Sequence, residues 1–114
     1  MGINKIKRET TVQFDDQEYK ARMSLDTIIR VEDTLGMGIM KIGQKLSEAD
    51  LSMSQIIAII TLAIRGGGNQ VKEKDVKLLV AEIGLVEAIK MCGELVTLAL
   101  SVDEDTEEKK SEQD

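Results

Sequence analysis

The chain reads as an α+β protein, an N-terminal β-hairpin packed on a bundle of about four to five short helices. Two observations predict this. Apolar residues alternate with polar ones up to Met23, then recur at three- and four-residue spacing from Leu25 onward. The helical stretches are punctuated by Gly36, Ser52, Ser54, Gly66 and Gly84, and the chain contains no proline.

Residues 8–14 put Thr10, Val12 and Phe14 on one face and Glu9, Thr11 and Gln13 on the other. Residues 18–23 repeat the pattern, with Tyr19, Ala21 and Met23 opposed to Glu18, Lys20 and Arg22. Two-residue alternation marks a half-buried strand. Asp15 and Asp16 between the two runs favour a turn, because short polar side chains bond their own backbone. Two strands alone are marginal, so their apolar face must lie against helices.

Ser24 caps the first helix, residues 25–35, and Gly36 closes it in the left-handed conformation. Leu25, Ile28, Ile29, Glu32 and Leu35 mark one face, apolar apart from Glu32. Residues 37–46 form a weaker helix, because Gly38 and Gly43 each cost about 1 kcal/mol relative to alanine. Ser52 or Ser54 opens the third helix, whose Ile56, Ile57, Ile59, Ile60, Leu62, Ala63 and Ile64 cover almost the whole circumference. Such a helix is either central in a core or covered by a partner. Gly66, Gly67 and Gly68 end it as a terminator and flexible joint. Residues 76–83 predict a fourth helix along Val76, Leu79, Val80 and Ile83. Gly84 then precedes a fifth over residues 85–100, along Leu85, Ala88, Ile89, Cys92, Leu95, Val96 and Ala99.

At 114 residues the chain is one domain, expected over residues 8–102, with an N-terminal extension over 1–7. Residues 103–114 hold seven acids against two lysines, so −5 of the net −6 lies there and the rest is nearly neutral. That acidic tail has nothing apolar to bury and is expected to be disordered. No basic stripe exists for a phosphate backbone, so nucleic acid is not an expected partner. The longest uncharged run, residues 51–64, is too short to span a bilayer, so no membrane partner is expected either. Cys92 is the only cysteine, which fits a reducing compartment, and a buried thiol is the expected state.

The chemistry on offer is sparse. The chain has no histidine, the commonest general base and zinc ligand. Asp15 with Asp16 reads as a turn pair, and Glu32 with Asp33 reads as a solvated helix face. The three glycines follow Arg65 and precede Asn69, without the lysine and hydroxyl of a phosphate loop. No catalytic residue, metal or cofactor is expected.

The order of these features carries a resemblance. A strand runs straight into a helix in EYKARMSLDTIIRVEDTLG, followed by LSMSQIIAIITLAIRGGG and KEKDVKLLVAEIGLVEAIKMCGELVTLAL. Together they resemble a phage tail assembly chaperone, of the family that includes the small tail protein of gene transfer agents, across residues 8–101. The resemblance implies a non-enzymatic protein of the bacterial host cytoplasm, absent from the mature virion. It would bind the tape-measure protein and the tail-tube protein and assist tube polymerisation; homo-oligomerisation is left open. Met37, Ile39, Met40, Ile42, Ile56, Ile57, Ile60 and Ile64 are the expected partner-binding residues, with a core role the stronger alternative for Ile56 to Ile64. A structural tail component, such as a tube or connector subunit, is the competing reading. A DNA-binding regulator ranks behind both, since basic residues such as Lys41 and Lys45 are scattered.

Overall fold

Alternation over the first strands becomes a two-stranded antiparallel hairpin in the computed structural model, which describes residues 8–14 and 16–101. Strand β1 is Glu9–Phe14 and β2 is Gln17–Arg22, with Glu9 opposite Arg22 and Phe14 opposite Gln17. Five helices follow: α1 (Leu25–Leu35), α2 (Ile39–Ser47), α3 (Met53–Gly66), α4 (Glu73–Ile83) and α5 (Leu85–Leu100). The α+β architecture expected from the sequence is the one observed. The expected extension over 1–7 and the tail over 103–114 lie outside the described residues, as does Asp15 of the turn.

Thr10, Val12 and Phe14 of β1 are buried with Ala21 and Met23, so the alternation does mark the covered face. Phe14 and Tyr19 pack edge to face, their ring centroids 6.1 Å apart. The hairpin rests on helices as a two-stranded sheet requires: α3 lies against β2, while α4 and α5 lie against β1.

Helix α3 is the centre of the molecule. It packs against β2, α1, α4 and α5, which explains why it is apolar around its circumference. Ile56, Ile59, Ile60, Ala63 and Ile64 are buried along it, and its Thr61 hydroxyl is satisfied by donating to the Ile57 carbonyl at 2.7 Å. Its start is set by a reciprocal cap. Ser52 Oγ accepts from the Gln55 amide at 3.2 Å, and Gln55 Oε1 accepts from the Ser52 amide at 2.9 Å.

Three details depart from the sequence expectation. Helix α2 starts at Ile39 rather than Met37, because Gly36 closes α1 with φ 72° and Met37 and Gly38 are spent on the turn. Glu32 is not a solvated acid: its Oε2 accepts from the Ile39 amide at 2.8 Å, placing a carboxylate on the positive end of α2. Helix α4 starts at Glu73, ahead of the expected Val76. Asp75 Oδ2 reaches back to the Lys72 amide at 3.2 Å, so a side chain inside the first turn caps it.

The glycine triplet is more than a terminator. Gly66 and Gly67 press the end of α3 onto the outer edge of β2. A Cβ on Gly66 would stand 2.6 Å from the Arg22 carbonyl oxygen, and one on Gly67 would run into the Lys20 carbonyl. Asn69 completes the seal, donating from Nδ2 to the Lys20 carbonyl at 2.8 Å.

Candidate functional site

The residues expected to bind a partner are distributed between core and surface by the packing of α2 and α3. Of the eight residues expected to bind a partner, the structure buries Ile42, Ile56, Ile57, Ile60 and Ile64 in the core. The reason is the central position of α3, together with α2 docking on α5: a Cβ on Gly43 would sit 3.2 Å from Leu100, so the two helices meet closely there. Met37 and Ile39 are half-buried against the core. Met40 alone of the eight is fully at the surface, 73% exposed.

The apolar surface that does exist stands elsewhere. On the first two turns of α5, Leu85, Val86 and Ile89 are 55%, 66% and 43% exposed. Their spacing of one and four residues puts them on one side of the helix. Leu78 of α4 is also exposed, as are Leu25 and Ile29, which stand one turn apart on α1. The sequence periodicity had placed Leu85 and Ile89 on the covered stripe of α5; Met91 and Leu98 are buried instead. The signal that could have found the exposed set is the surplus: α5 carries more apolar residues than one helix face can bury.

Charged side chains flank this surface. Glu87 and Lys90 pair at 3.6 Å in the open, an arrangement of little energetic weight. Beside them a shallow groove of about 220 Å³ runs between β1 and α5, lined by Thr10 to Gln13 on one side and by Glu87, Lys90, Met91 and Glu94 on the other. A second, more open depression of about 520 Å³ is framed by Arg65, Val71 and Lys72, with Arg65 Nε donating to the Val71 carbonyl at 2.8 Å.

Among the described residues no three His, Cys, Asp or Glu side chains come together at metal-binding distance. Burial pushes the Cys92 thiol up to about 12, so in the folded protein it stays protonated and a poor nucleophile. Among the described residues no helix is long and apolar enough to cross a membrane.

The described surface thus carries exposed apolar side chains on all of its helices except α3. Residues 7–102 match the family model described as phage tail tube protein, GTA-gp10. The chain belongs to that family. The match covers the whole described fold, hairpin and all five helices. It agrees with the sequence resemblance on a phage tail protein and differs on the part played, since the family carries the description of a tube protein where the resemblance pointed to an assembly chaperone. Neither a curated protein nor a solved structure shows significant similarity to the chain.

Proposed function

We propose that this chain is a structural subunit of a phage tail, acting by protein–protein contact with no bond made or broken. The observation that carries this reading is the family match over residues 7–102, under a description that names the tail tube. The exposed Leu85, Val86 and Ile89 support it, because a subunit held between neighbours keeps apolar side chains that a free monomer would cover. Other tail components, the tube foremost, are then its partners.

A second reading, a tail assembly chaperone in the host cytoplasm, is favoured by one feature. The exposed apolar residues stand on helices, the geometry that grips an apolar helix of a partner such as the tape-measure protein. Mass spectrometry of purified tails separates the two. Stoichiometric presence is expected for the tube subunit. Absence from tails combined with co-purification and solubilisation of the tape-measure protein would replace it with the chaperone, and failure of both would overturn the tail role.

A further inference from the structure

The two edges of the hairpin are treated differently. Met23 donates its amide to the Arg8 carbonyl at 2.8 Å, which identifies Arg8–Met23 as a hydrogen-bonded pair. Bonded and non-bonded pairs alternate along an antiparallel ladder, so Thr10–Ala21 and Val12–Tyr19 are bonded pairs in the same register. Lys20 on β2 and Thr11 on β1 therefore turn their backbone N–H and C=O groups away from the hairpin. On β2 the second half of this edge is occupied: the Lys20 carbonyl accepts from Asn69, and Gly66 and Gly67 press against residues 20–22. On β1 the Thr11 side faces the groove beside α5, and Thr11 is exposed.

We propose that β1 is a self-association edge, pairing antiparallel with β1 of a second copy about a two-fold axis midway between the two Thr11 residues. A six-residue edge strand without proline, bulge or lysine lacks these sequence features that discourage pairing. The single charge on it, Glu9, already faces Lys20 of its own hairpin at 4.0 Å. The strand is also complementary to itself. With Thr11 opposite Thr11, the two residues exchange both backbone bonds, and Glu9 falls opposite Gln13, so no like charges meet. On the covered face Thr10 falls opposite Val12. The product is a four-stranded sheet ordered β2-β1-β1-β2 with the end of α3 against each outer edge. Such a sheet escapes the marginal stability of two strands. The inference stands apart from the tail reading, because pairing is measured on the pure protein and the tail role on particles.

Light scattering after size exclusion tests it on the full chain. The wild type is expected at twice the 12.6 kDa chain mass. Thr11→Pro removes only an outward N–H, outside the hairpin ladder, and is expected to give a monomer with its thermal unfolding largely retained. Thr11→Lys, on an exposed position, sets two ammonium groups face to face and is expected to weaken the dimer by about tenfold or more. A monomeric wild type, or a dimer that Thr11→Lys and Thr11→Pro both leave intact, would overturn the proposal.

Discussion

Helices α3 and α5 are similarly rich in apolar residues, yet they meet opposite fates. Helix α3 is surrounded by β2, α1, α4 and α5 and buries nearly all it has. Helix α5 buries Leu95, Val96, Leu98 and Ala99 on its second half and leaves Leu85, Val86 and Ile89 in solvent on its first. The difference teaches that apolar content measures how much surface a helix must cover, while neighbours determine whether it is covered from within. In α3 the neighbours belong to the same chain. The first turns of α5 lack such a ring among the described residues, and Leu85, Val86 and Ile89 stay in solvent.

The comparison can be broken most sharply at Ile60, fully buried in α3. Ile60→Ala removes methylene groups from the centre of the core and is expected to cost about 2–5 kcal/mol, read by denaturant unfolding. A cost below about 1 kcal/mol would mean that the centre collapses around the loss and that α3 is not the pillar its contacts suggest. Gly67→Ala tests the end of the same helix. The added methyl meets the Lys20 carbonyl, and the expected destabilisation is about 1–3 kcal/mol with the loss concentrated where α3 seals β2. Hydrogen exchange at residues 18–22 should rise in step; unchanged exchange there would separate the glycines from the seal.

A smaller effect is expected at the start of α3. Ser52→Ala removes the acceptor for the Gln55 amide and half of the reciprocal cap, a loss of about 1 kcal/mol. The smallest stability change is expected at the surface of α5. Replacing Leu85, Val86 and Ile89 with glutamine should shift stability by no more than about 0.5 kcal/mol per site while abolishing incorporation into tails. If the triple variant still assembles normally, the exposed end of α5 is not where the partner binds.

Much of the architecture was visible in the residues themselves. Thr10, Val12 and Phe14 announced the covered face of β1, Ser24 and Gly36 bracketed α1, and of the two serines offered for the start of α3 the structure uses Ser52. These signals are local: a side chain and the backbone it bonds lie within one turn, or a period repeats along one element. The start of α4 was missed because its cap comes from Asp75 inside the helix, where a scan for a capping residue ahead of it finds Lys72. The candidate surface was less legible. Ile56, Ile60 and Ile64 fitted a partner surface as well as the favoured core, and the ring of elements around α3 places them in the core.

Residue order alone determined the type and order of the elements and the ends of α1, because each follows from interactions a few residues apart. Tertiary structure alone decided which apolar faces were left over, why Gly66 and Gly67 must lack side chains, and that one edge of the hairpin is sealed while the other faces a groove. Those outcomes depend on contacts between segments as far apart as Lys20 and Asn69, and a one-dimensional pattern carries no record of which surfaces meet.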